Sequence, residues 1–142
     1  MQAVMTLLKD KNEHLEKFLQ LNEIELLNFM HGNFDNLEIF YQSRETILEL
    51  IRCIDGLVEV ALKDAPTDGS KIADTDKRDF LKTLSRKNDL VTQILTQDLQ
   101  ILSVIERAKS DIIKDLRQVQ SARKAVGAYK SGETKNQLDE EA

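Results

Sequence analysis

Residues 70–126 read SKIADTDKRDFLKTLSRKNDLVTQILTQDLQILSVIERAKSDIIKDLRQVQSARKAV and contain neither glycine nor proline. Apolar side chains recur through this stretch every three and four residues: Leu81, Leu84, Val91, Leu95, Leu102, Ile105, Ile112, Leu116, Val119 and Val126. That is the period of one helix face, not of a strand. A helix over 75–129 would be roughly 80 Å long at its rise per residue. Polar residues interrupt the stripe at Asn88, Asp98, Lys109 and Arg123. Polar seam residues fix register or loosen packing. A bend at 87–89 or 97–98 would split the stretch in two and make the bundle four-helical.

Upstream lies DAPTDGSKIAD, residues 64–74, where Pro66 and Gly69 stop any helix. Asp74 or Thr75 then caps the long helix, and Asp76 and Asp79 suit the positive end of its dipole. Before the linker, residues 34–63 carry Leu37, Phe40, Tyr41, Ile47, Leu48, Ile51, Ile54, Val58 and Leu62 at helical spacing. A second stripe, Leu50, Cys53, Leu57 and Val60, runs beside the first. Such a wide apolar arc either packs between two neighbours or offers a groove. Gly56 falls inside this helix and reads as a point of close approach by a neighbour, with a kink as the alternative.

The first helix is expected over 2–31, on Val4, Leu7, Leu8, Leu15, Phe18, Leu19, Ile24, Leu27 and Met30. Gly32 suits its C-terminal cap, which calls for a left-handed backbone. Asn33 or Asp35 can cap the next helix, with Phe34 packing back across the turn. A connection this short makes an antiparallel hairpin. The expected fold is therefore all-α: an elongated antiparallel hairpin plus one very long C-terminal helix. Residues 1–129 form a single helical domain, and the acidic tail 130–142 is expected to be disordered. The first two helices are each roughly 42 Å long. The third should overhang them over 105–129.

Composition fits this reading. The chain has 142 residues, no Trp, one Pro and a formal net charge of −5. Charge is uneven. Residues 34–64 hold three basic and seven acidic side chains, whereas residues 107–130 hold seven basic and two acidic. The basic end complements the helix dipole or docks on an acidic protein surface. Nucleic acid is not expected as a partner, because aromatic residues are not interleaved with these cations and the chain is acidic overall. No apolar run approaches the ~20 residues of a membrane span, and the N-terminus lacks the features of a secretory signal. Cys53, alone among Leu50, Ile54 and Leu57, reads as a buried, reduced thiol in a cytoplasmic protein.

No catalytic or metal chemistry is legible. His14 and His31 lie too far apart to share a helix face as metal ligands. There is no Glu-x-x-His pair of the kind that binds metals inside bundles. No cofactor and no enzymatic activity are expected.

The order of parts carries a resemblance. One helix ends in Met30-His31-Gly32-Asn33-Phe34-Asp35-Asn36-Leu37. The second contains Arg44 and then Ile47-Leu48. The long third helix closes with Arg123-Lys124-Ala125-Val126-Gly127-Ala128-Tyr129-Lys130-Ser131-Gly132. This resembles the FlgN-type flagellar export chaperones and is similar to their FliT-type relatives. The resemblance spans nearly the whole chain, through short motifs. It implies a cytoplasmic chaperone that holds the C-terminal helices of hook-associated proteins, prevents their premature assembly and delivers them to the type III export apparatus. It also implies that Tyr129 matches an aromatic residue that docks at the export gate. The expected substrate-helix site is Ile105, Ala108, Ile112, Leu116, Val119 and Val126, a stripe at the spacing of helix-in-groove recognition. A homodimer through the third helix is a further expectation. The competing reading is a structural coiled-coil homo-oligomer or an adaptor subunit of a complex.

Overall fold

The structure, a computed structural model, describes residues 2–64 and 73–141, with side chains as far as residue 130. It is all-α: α1 spans Gln2–Met30, α2 spans Leu37–Asp64 and α3 spans Asp74–Glu141. α3 is a single helix of 68 residues, with no break at 87–89 or 97–98, so the architecture is three-helical. It also continues past Tyr129, where the sequence reading ends the helix and begins a disordered tail. Gly132 is the one strong helix breaker in that segment, and its cost of about 1 kcal/mol is insufficient to stop a helix alone. The chain divides into two compact units, Met1–Val104 and Ile105–Ala142.

The α1–α2 turn follows from its residues. Gly32 adopts φ 78°, the left-handed conformation that glycine takes without penalty. The Gly32 amide donates to the Phe29 carbonyl (3.0 Å) and the Asn33 amide to the Asn28 carbonyl (2.9 Å). This pair of bonds is the Schellman termination, and it satisfies two orphan carbonyls of α1. Phe34 folds back as expected and stacks on Phe29, with ring centroids 5.3 Å apart. Phe40 meets the same ring edge-on at 5.4 Å. Asn33 accepts a bond from the Asp35 amide within the turn, at 3.1 Å. The first carbonyl of α2 to accept a helical bond is that of Asn36, so the helix starts at Leu37 rather than at 34.

In unit 1 the three helices run up, down and up. Lys11 of early α1 bonds Asp55 of late α2 at 2.7 Å, so these two are antiparallel. Lys9–Asp79, Glu16–Arg86 and Asn22–Asp98 advance together along α1 and α3, so those two are parallel. The core gathers Leu15 and Phe18 of α1, Ile51 of α2, and Leu90 and Ile94 of α3, flanked by Leu19, Ile47, Leu48 and Val91. Each such fully buried side chain contributes about 1.5–3 kcal/mol.

The face of α3 that is buried corrects the expected seam. Thr83, Leu90, Ile94, Ile101 and Ile105 are buried, whereas Leu81, Leu95 and Leu102 are exposed. Polar contacts hold this face inward. Asp98 accepts two bonds from the Arg44 guanidinium (3.0 and 2.7 Å) and a third from the Asn22 amide (2.9 Å). The same guanidinium lies 5.2 Å above the Phe18 ring. One carboxylate of α3 thus ties α1 and α2 together. Near the other end of the bundle, the Asn12 amide donates to the Thr83 carbonyl at 3.0 Å.

Two further expectations are corrected in α2. Cys53 is exposed rather than buried. Among the described residues no neighbouring helix approaches Gly56: a Cβ there would meet no atom of another element within 4 Å. Both residues lie away from the core face that carries Phe40, Ile51 and Ile54. The expected linker lies largely at 65–72, outside the described residues.

Candidate functional site

The candidate site is built from apolar side chains that the fold leaves uncovered. In unit 2 every described residue from 109 to 130 is exposed. Ile112, Leu116, Val119 and Val126 retain between 47% and 59% of their accessible surface. At 3.6 residues per turn these four fall on one stripe, which by sequence register continues the spacing of Leu90, Ile94, Ile101 and Ile105. Of the expected site residues, Ile105 is 5% exposed and Ala108 is half-buried. Neither belongs to the open stripe, which begins at Ile112. Among the described large hydrophobic side chains of unit 2, Tyr129 is the most exposed, at 68%.

The stripe is edged by cations on one side. Of the seven basic side chains in residues 107–130, Lys109, Arg123 and Lys130 fall by helical position on or beside the stripe, while Arg107, Lys114, Arg117 and Lys124 fall on the opposite side and Asp111 and Asp115 lie toward the stripe's other edge. Lys109 approaches Glu106 of the preceding turn at 3.8 Å, and both side chains stay largely in water. Val119, Ala122, Arg123, Val126 and Gly127 line a shallow concavity of about 470 Å³. Gly127 contributes to it by lacking a side chain. Such a surface can bury one face of an amphipathic helix, with its cations meeting an acidic rim.

Unit 1 carries uncovered apolar faces of its own. On α2, Ile39, Leu50, Leu57 and Val60 are all exposed, with Cys53 among them. This is the second stripe read from sequence; the bundle leaves it open rather than using it between two neighbours. On α3, Leu81, Leu95, Leu99 and Leu102 form an exposed strip about 120° around the helix from the buried one. Leu99 and Val104 join Leu26 and Met30 of α1 around a cleft of about 410 Å³. Leu99 and Ile39 were absent from the sequence-derived stripes, although both hold helical spacing with their neighbours. A third cleft, of about 430 Å³, opens where α1 and α3 begin, between Met5, Lys9, Phe80 and Leu81.

Reactive groups do not converge on these faces. His14 sits 3.6 Å from Asp10 of its own helix, and the His31 ring bonds the Leu27 carbonyl at 2.7 Å. Among the described residues, no group of His, Cys, Asp or Glu side chains is placed to hold a metal ion. Among the same residues, no helix is long and apolar enough to cross a membrane. No family model, no curated protein and no solved structure matches the chain.

Proposed function

We propose that the chain is a cytoplasmic export chaperone of the FlgN type, and that the open stripe of α3 takes up an amphipathic helix from the C-terminal region of a hook-associated flagellar protein. The observation that carries this reading is the run of Ile112, Leu116, Val119 and Val126, large apolar side chains left in water on one helix face. Isolated surface leucines are ordinary, but four large apolar side chains aligned on one exposed helix face are the mark of a partner site. Spacing at i, i+4, i+7 and i+14 matches what a partner helix buries in helix-in-groove recognition. The basic border would select a partner helix with acidic flanks. Binding there would keep the client's apolar helix from assembling early. Tyr129, exposed one turn beyond Val126, serves in this reading as the contact to the export gate.

The test is co-purification with the C-terminal region of a hook-associated protein. Ile112→Asp and Val119→Asp should each weaken capture by at least about tenfold, since a buried charge without a partner costs several kcal/mol. Helical content should be unchanged, because both positions are exposed. Undiminished capture by both folded variants would remove the stripe as the client site. Tyr129→Ala should retain the client and lower its export; equal export would separate Tyr129 from the gate.

A further inference from the structure

We propose that the apolar stripe 112–126 on α3 of one copy packs against the outer face of α2, Ile39, Leu50, Leu57 and Val60, of a second copy. The chain then self-associates by joining two unlike faces, and Cys53 lies at the join. Both faces are exposed in the single chain and both hold their large side chains at helical spacing. Each is a single-helix stripe of the kind that packs ridge into groove.

Charge selects the pairing. Residues 37–64 carry six acidic and three basic side chains, and one of those cations, Arg44, is turned inward onto Asp98. Glu38, Glu45 and Glu49 are exposed and fall, by helical position, along one border of the α2 stripe, where Glu45 is already paired with Arg52 at 3.2 Å. On α3, Lys109 and Arg123 fall by helical position along one edge of the stripe, and Asp111 and Asp115 toward the other. Pairing α2 with α2 would set carboxylates against carboxylates. The mixed contact sets the Glu38 and Glu49 border of α2 against the Lys109 and Arg123 edge of α3, and opposite charges at a rim steer association. Register adds a second argument. The α3 stripe keeps the spacing of the α3 face that, in unit 1, is already buried against α1 and α2.

The contact stands on these two faces and does not need a hook-associated protein as the client. If the export reading also holds, the partner's α2 is what an arriving client helix displaces. The two ideas therefore fail separately, the first in the purified chain and the second only with a client present.

The experiment uses the full chain. Sedimentation from about 1 to about 200 µM should show a monomer passing to a larger species, with weaker association in 1 M salt, where charges are screened beyond about 3 Å. Glu38→Lys with Glu49→Lys should raise the dissociation constant about tenfold, and adding Lys109→Glu with Arg123→Glu should restore it. Cross-linking reads the contact directly, because Cys53 is the sole cysteine. The native chain is mixed with chains carrying Cys53→Ser together with Ile112→Cys, Val119→Cys or Arg117→Cys, and oxidised. Disulfide-linked pairs of unlike chains should form through position 112 or 119 and be scarce through position 117, on the opposite side of the helix. The proposal is overturned by a monomer at every concentration. It is equally overturned by cross-links between Cys53 residues alone, or by equal yield through position 117.

Discussion

At the scale of single residues, the two glycines of the hairpin make opposite demands. Gly32 sits at φ 78°, so any side chain there must hold a strained backbone. Gly56 sits in helical backbone with open space around it. Gly32→Ala should therefore lower stability by about 1 kcal/mol, and Gly56→Ala should raise it by a similar amount, through helix propensity. Paired urea titrations check both signs. A loss at Gly56→Ala would mean that something packs on this position, as the close-approach reading supposed. The role of Gly32 was legible because a helix end, a glycine and a capping sequence coincide. The openness of Gly56 was not, since it depends on how α2 is rotated within the bundle. Cys53 was misread for the same reason: Leu50 and Leu57 do share its face, but that face of α2 is turned to solvent.

At the scale of the element, α3 shows what periodicity can and cannot decide. Its helical nature follows from spacing and from the absence of breakers. Its rotation does not, because two apolar strips share the helix: Leu81, Leu95, Leu99 and Leu102 on one side, and Leu90, Ile94, Ile101 and Ile105 on another. Transfer of apolar surface favours either strip equally. The polar residues break the tie. Asp98, placed next to the second strip, meets Arg44 and Asn22, and a charge withdrawn from water requires such partners. The interruption of the stripe at Asp98 was visible in the sequence, but its partners lay 54 and 76 residues away. Truncation separates the two strips. Leu90→Ala, at a fully buried position, should cost about 3 kcal/mol, whereas Leu95→Ala should cost less than about 1 kcal/mol. Equal losses in thermal unfolding would mean that α3 is rotated from the arrangement described.

For the whole molecule, stability and partner surface fall in different parts of the chain. Unit 1 contains the cross-helix core and every ion pair between helices among those described. Unit 2 presents its side chains from 109 to 130 to water. Little of the folding free energy can come from there, because an isolated helix gains only weakly from its own hydrogen bonds. Ile105 is the exception, being buried at the start of unit 2. A chain ending at Ser110 retains Ile105 and should unfold within a few degrees of the full chain when both are dilute. Concentration then distinguishes them. If residues 112–126 seat on a second copy, mass action adds RT ln(1 + [L]/Kd) to the full chain, about 2.7 kcal/mol at a hundredfold excess over Kd. Its unfolding midpoint should climb with protein concentration, while that of the shortened chain stays level. A shortened chain that loses its cooperative transition would place folding energy in unit 2 and undo this division. A full chain whose midpoint ignores concentration would leave the stripe free for a different protein, which is the condition the client-capture experiment then probes.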